Sequence, residues 1–242
     1  MINKILLQSI INKYYLGINE TVKWKISNGE LEIRFMTPSQ DVIGEIKCFG
    51  FPLYDSELAV FDTRKLLNLV SICNGDLLLE LENNNGVNTK LKISDSNYNL
   101  DYALADPLLV GKVGTVNIPE WDVILKLSSE DVENLIKAKN ALTGVDDMLI
   151  TTDTSLDGEK ICKFTFGGTD GHNNKVSYQI MGEINVDNLQ LPFNSDTFKN
   201  ILNFNKDADE GKLYINEMGL MMLEFYNKNL ECKYYMYRQA EI

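Results

Sequence analysis

A chain of 242 residues, 44% hydrophobic and 24% charged, can bury one large core or two modest ones, and two halves of about 120 residues match the usual domain size. No apolar run approaches the roughly 20 residues that would span a bilayer, and polar residues interrupt the first 16 positions where a signal core would lie, so no membrane contact and a cytoplasmic location are expected. The net charge of -12 argues against whole-surface adhesion to nucleic acid, because polyanion binding needs cations that displace counterions, yet it leaves room for a local basic face.

The first expected element is a helix over residues 3–15, with Ile5, Leu6, Ile10 and Tyr14 on the core face and Lys4, Gln8 and Asn12 opposite. Alternating segments at 21–26 and 30–35 flank Asn28-Gly29 and predict a hairpin. Strands are expected at 42–48 and 53–60. Asp62 then caps a second helix that ends near Asn74-Gly75. Strands at 77–82 and 89–94 enclose an Asn-rich turn with Asn85-Gly86, and 98–104 closes the half.

From Ala105 to Pro119 the chain reads as an extended crossover, rich in Gly and Pro. The expected division is a domain over 1–107, a linker over 108–119 and a domain over 120–242. Ser128 or Ser129 caps a third helix whose first turn carries Glu130, Asp131 and Glu133, where negative charge suits the helix dipole. Strands follow at 148–153, 160–166, 176–183 and 186–191, then a helix capped by Ser195 and running to about 205. Strands at 212–216, 220–226 and 231–237 complete the chain.

The order of elements occurs twice. Ile2, Ile5, Leu6 and Ile11 overlay Val132, Leu135, Ile136 and Ala141, while Phe61, Leu66, Leu69 and Val70 overlay Phe193, Phe198, Ile201 and Leu202. Such matches recur by chance in amphipathic helices, but the ordered repetition of elements is harder to dismiss. The expected class is α+β: two similar domains, each with two helices on antiparallel sheet.

Chemistry is sparse. His172, the sole histidine, sits in a Gly- and Asn-rich stretch over 167–174 with the composition of a hairpin loop, and neither phosphate-loop ending nor following helix supports a phosphate cradle. Asp153-x-Ser155-x-Asp157-Gly158 imitates the start of a calcium loop, but its twelfth position is Phe164. No metal and no cofactor are expected. Cys48, Cys73, Cys162 and Cys232 are too dispersed for a zinc site and read as reduced, buried thiols. A hydrolase or transferase using His172 or Asp157 is the third-ranked reading. More telling are cations on all four helices: Lys4 and Lys13, Arg64 and Lys65, Lys137 and Lys139, and Lys199. Their competing explanation is that Lys and Arg are good helix formers on wet surfaces.

Tyr54-Asp55, the helix from Phe61 to Cys73, Lys92-Ile93-Ser94-Asp95 and Ala105-Asp106-Pro107 with Val110, then Ile118-Pro119 and Glu130-Asp131-Val132-x-x-Leu135-Ile136-Lys137, fall in the order and near the spacing of a known family. On these motifs the chain resembles the DNA polymerase sliding clamp of T-even-type bacteriophages over nearly its whole length. The resemblance implies a non-enzymatic homotrimeric ring around duplex DNA, loaded by an ATP-dependent clamp loader and bound by DNA polymerase, in the host-cell cytoplasm if phage-encoded. It places the helix cations toward DNA, Tyr98, Leu100 and Tyr102 beside Val176, Tyr178 and Ile180 of the next subunit, and a partner pocket near Leu108, Leu109 and Val110. The alternative is a non-enzymatic structural or assembly protein of a phage particle, which would share the strands and the lack of catalytic groups.

Overall fold

The computed structural model describes residues 1–155, 157–168 and 174–239. Two compact units divide it: Met1–Thr115 with Asn229–Cys232, and Val116–Lys228 with Lys233–Ile242. His172 lies outside the described residues.

The first unit runs β1 (Ile2–Asn3), α1 (Lys4–Tyr15), β2 (Val22–Ser27), β3 (Glu30–Met36), β4 (Val42–Phe49), β5 (Ser56–Val60), α2 (Thr63–Ile72), β6 (Asp76–Asn84), β7 (Val87–Ser94) and β8 (Asn99–Ala103). Its strands form two antiparallel sets, in the orders β5-β2-β3-β4 and β1-β6-β7-β8. Both expected Asn-Gly turns form. Asn28 and Gly29, and again Asn85 and Gly86, all take positive φ, the conformation that matches a two-residue turn to the twist of its strands. Alternation puts Val22, Trp24 and Ile26 into the core, where Trp24 meets Tyr14 and Phe51 edge-on with ring centroids 6.4 and 5.9 Å apart.

The second unit runs β9 (Val123–Leu127), α3 (Ser129–Asn140), β10 (Asp147–Thr154), β11 (Lys160–Gly167), β12 (Lys175–Met181), β13 (Glu183–Ile184), β14 (Gln190–Asn194), α4 (Ser195–Phe204), β15 (Glu210–Ile215), β16 (Leu220–Tyr226) and β17 (Leu230–Tyr237). The orders β14-β10-β11-β12 and β13-β9-β15-β16-β17 reproduce those of the first unit strand for strand, with β13 added. Helix pairs α1/α2 and α3/α4 pack within their own units.

The second helices superpose as expected: Thr63, Leu66 and Val70 are buried on α2, and Ser195, Phe198 and Leu202 on α4. The first helices superpose at a different offset. Leu7, Ile10 and Ile11 match Val132, Leu135 and Ile136, whereas Ile5, expected in the core, is 76% exposed. The stripe that packs is Leu7, Ile10, Ile11 and Tyr14, and at about 3.6 residues per turn Ile5 falls off it, in the first turn where Asn3 caps the helix by accepting its N–H.

Other boundaries moved for equally local causes. The expected strand at 176–183 breaks at Gly182, where a Cβ would stand 2.5 Å from the carbonyl oxygen of Ile124, so only glycine lets the chain pass β9. The strand expected at 186–191 starts later because Asn188 turns the chain at positive φ. Asn194, not Ser195, caps α4 by accepting the N–H of Thr197, and Ser128 with Asp131 forms the capping box of α3. β9 had no counterpart among the expected strands. The crossover is not wholly extended: Asp106 caps a 3-10 turn over Pro107–Leu109. All four cysteines are buried free thiols.

Candidate nucleic-acid interface

The seven helix cations fall into three environments. Lys13 and Lys139 are corrections: at 1% and 5% exposure neither can touch a duplex. Lys139 lies in the last turn of α3, where its Nζ pairs with Asp196 of α4 at 3.1 Å and donates to the carbonyl of Val145. It is a strut between two helices. Burial works to raise the Asp196 carboxyl, but hydrogen bonds and charge from Lys139 and Lys199 outweigh it and hold the group below the usual carboxylate range. Lys13 faces inward because it follows Ile10 and Ile11 on the stripe that α1 presents to its own core.

Four others are accessible but engaged. The Nζ of Lys4 donates to the carbonyl of Ser71 at 2.7 Å, neutralising the open C-terminal end of α2. Lys137 pairs with Glu133 at 3.2 Å one turn away, and Lys199 with Asp196 at 3.3 Å. Arg64 donates from Nε to the Tyr15 hydroxyl at 3.0 Å and stands 3.7 Å from Glu20, two contacts that push its guanidinium further toward the charged form. Lys65 alone of the seven has neither ion pair nor side-chain hydrogen bond among the described residues. The expected basic face is therefore narrower than the sequence implied: Arg64, Lys65 and Lys137 are its exposed members.

The expected interface strands lie at sheet edges, since β8 and β12 each have one strand neighbour among the described residues. Their side chains do not all face outward. Tyr102 is buried, its hydroxyl accepting from the N–H of Asp62 and donating to the Asp62 carbonyl at the start of α2. Tyr178 likewise donates to Asp131 at 2.9 Å at the start of α3, and Ile180 is buried. Tyr102 and Ile180 are buried within their own unit and are corrected as side-chain partner contacts, whereas Tyr178 is tied to α3 but half-buried. Tyr98 is exposed, and Leu100 and Val176 are half-buried.

The residues expected to form one partner pocket are separated. Leu108, 88% exposed on the 3-10 turn, lines a groove of about 450 Å³ with Tyr54 and Val87. Val110 lines a different one, of about 460 Å³, beside Lys23, Lys25 and Arg34. Leu109 protrudes at 78% exposure. The strand cations Lys23, Lys25 and Arg34, which share the groove with Glu32 and Lys112, escaped the sequence reading. Alternation with Val22, Trp24 and Ile33 marks them as outward, but nothing local says that the linker crosses above them. Among the described residues no cluster of His, Cys, Asp and Glu could hold a metal ion, and no helix is long and apolar enough to cross a membrane.

No protein-family model and no curated protein matches the sequence. Solved structures do. PCNA from A. fulgidus, solved with the C-terminal region of FEN-1 bound, superposes with a TM-score of 0.79 at 14% identity, covering 100% of this chain and 98% of that one. Proliferating cellular nuclear antigen from Entamoeba histolytica gives 0.73 at 17%, covering 98% and 96%, and PCNA from Thermococcus kodakaraensis gives 0.75 at 16%, covering 98% and 97%. The chain has the PCNA-like clamp fold along its whole length, α+β with four helices on antiparallel sheets.

Proposed function

We propose that this protein is a non-enzymatic processivity clamp, a ring that encircles duplex DNA and tethers a replicative polymerase. The clamp fold over the full chain carries the reading. Edge geometry supports it. The outer edge of β4 is occupied within the first unit, where the N–H of Phe49 donates to the carbonyl of Asn229 at 3.0 Å. Its counterpart β12, and β8, keep open edges among the described residues. Pairing β8 of one copy with β12 of the next satisfies both rows of backbone groups and generates a head-to-tail ring; the resemblance read from the sequence sets its number at three.

Function then follows from topology. Duplex DNA carries one charge per roughly 1.7 Å of axis, so a few exposed cations hold it loosely without reading sequence. A polymerase bound to the ring is kept near the primer end at high effective concentration. An ATP-dependent loader opens the ring, the setting is the cytoplasm of a cell or of a phage host, and the T-even-type kinship rests on the short motifs around Tyr54, Lys92 and Asp106. The second reading, a structural or assembly protein of a phage particle, draws on the narrowness of the basic face.

Light scattering over a dilution series, paired with retention on circular and linearised DNA in the presence of a loader, separates them. A trimer that stays on circles and runs off linear ends supports the clamp. A monomer at every concentration with no retention on circles overturns it and favours the assembly protein.

A further inference from the structure

In both units the open edge has a fixed hydrogen-bond phase. The N–H of Leu104 donates to the carbonyl of Thr89 at 2.9 Å, next to the pair Lys90 and Ala103, so the even-numbered residues of β8 bond to β7. Asn99, Asp101 and Ala103 therefore aim their N–H and C=O groups at the open side. In the second unit the N–H of Ser155 donates to the carbonyl of Glu159 at 2.7 Å, in line with the β10–β11 register, so the odd residues of β11 bond to β10 and its even residues to β12. Cys162, Phe164 and Phe166 accordingly bond Ile180, Tyr178 and Val176, and Lys175, Ser177, Gln179 and Met181 aim at the open side. Each of these open-side residues is exposed, whereas Leu100, Tyr102, Val176, Tyr178 and Ile180 lie on the other, more buried face. Asp101 is the sole charge on β8, and Lys175 the sole charge on β12.

We propose that β8 of one copy pairs antiparallel with β12 of the next so that Asp101 stands opposite Ser177, and that Asp101 and Lys175 select this register. The inference rests on the ring reading and deepens it. A slip of one residue is excluded, because it sets the open-side groups of one strand against groups already bonded within the other and turns exposed side chains against buried ones. Two registers pair all five residues of β8 with residues of β12. In the one proposed, Asn99 faces Gln179, Leu100 is in register with Tyr178, Tyr102 with Val176, and Ala103 faces Lys175. Lys175 then lies diagonal to Asp101, within reach of a long side chain, and the small Ala103 leaves it room. Asp101 pairs with Lys90 at 3.2 Å, but Lys90 is also held by Glu82 at 3.3 Å, so the carboxylate can serve a second cation. Lys175 has no ion pair among the described residues. Elsewhere on this face Glu80 opposes Lys92 and Glu82 opposes Lys90, so the other charges are matched within the unit. The alternative register sets Asp101 against Gln179, with Ser177 and Met181 on the diagonals. Lys175 then falls opposite Ala105, where the chain has left β8 to bond Ala59, and the cation in line with Asp101 is Lys163, one strand further away.

Cysteine pairs on the full chain read the register directly. Opposed residues that exchange both backbone bonds have Cα atoms about 5.5 Å apart, which suits a disulfide, whereas a two-residue offset stretches this to about 7–8 Å. Asn99→Cys with Gln179→Cys, oxidised by diamide, should give a covalent assembly on a denaturing gel, and Asn99→Cys with Met181→Cys should not. All three positions are exposed, and the parent, with its four buried thiols, sets the background. An equal or higher yield from the Met181 pair overturns the register. Lys175→Gln and Asp101→Asn should each raise the dissociation constant of the assembly about threefold or more in sedimentation, and the double variant no further than the worse of the two. Additive losses overturn the ion pair. Failure of both cysteine pairs while the parent assembles removes this seam and leaves the ring reading, and a parent that is monomeric at every concentration removes both.

Discussion

Lys137 and Lys139 stand two residues apart on one helix and do unrelated work. Lys137 is 69% exposed at its side chain and pairs with Glu133 on the surface, so Lys137→Ala should change stability by less than about 0.5 kcal/mol. Lys139→Ala takes from the Val145 carbonyl one of two side-chain donors, the Ser195 hydroxyl being the other, loosens Asp196, and should cost about 1–3 kcal/mol in urea unfolding. Equal midpoints for the two variants would contradict the strut. Asp95 offers a pH test. Its carboxylate accepts the N–H groups of Asn97, Tyr98 and Asn74, at 2.7, 2.6 and 2.6 Å, which hold it below the usual range. A depressed folded-state value means the stabilisation is present above the unfolded value of about 3.9 and disappears as pH falls through the folded one. Asp95→Asn should therefore flatten the stability profile between about pH 5 and pH 2, and a profile parallel to the parent's would refute it.

At the scale of elements, each helix start is secured by a side-chain oxygen: Asn3, Asp62, Ser128 and Asn194 each accept a backbone N–H, worth about 1 kcal/mol apiece. Tyr102 and Tyr178 extend the same anchoring to the edge strands, holding β8 at the start of α2 and β12 at the start of α3. Strands fixed in this way would need little further ordering to pair with another copy. Met181, the exposed last residue of β12, is the place to test pairing. Met181→Asp puts a carboxylate into the expected seam and should raise the dissociation constant of the assembly by about tenfold or more, with the monomer's thermal midpoint unchanged. Sedimentation over a concentration series reads the change, and identical curves for variant and parent would move the seam elsewhere.

For the molecule as a whole, few accessible cations should mean weak affinity for open DNA. Each phosphate contact adds about -0.9 to the slope of log affinity against log salt, so binding to linear duplex should fade quickly as salt rises. Retention on circles should survive the same salt, because a closed ring dissociates by opening rather than by losing contacts. Combining Arg64→Glu, Lys65→Glu and Lys137→Glu should lower clamp-dependent primer extension about tenfold while leaving the assembly's mass intact. Parent-like extension would remove these helix faces from the DNA path.

The duplication, the four helices, both Asn-Gly hairpins and the α+β class were legible in the sequence, because periodicity, caps and turn chemistry act over a few residues. Sites were less legible for the same reason. Lys13 and Lys65 are alike as letters on a helix, and only packing buries one and leaves the other free. Leu108 and Val110 are neighbours in the chain, yet a capped 3-10 turn sends them to different grooves. The cations beneath the linker belong to strands about eighty residues away from Gly114, which holds Arg34. Local chemistry determined which elements form and where they start; burial, register and the path of the linker, which depend on contacts distant in sequence, decided which charges remain available to a partner.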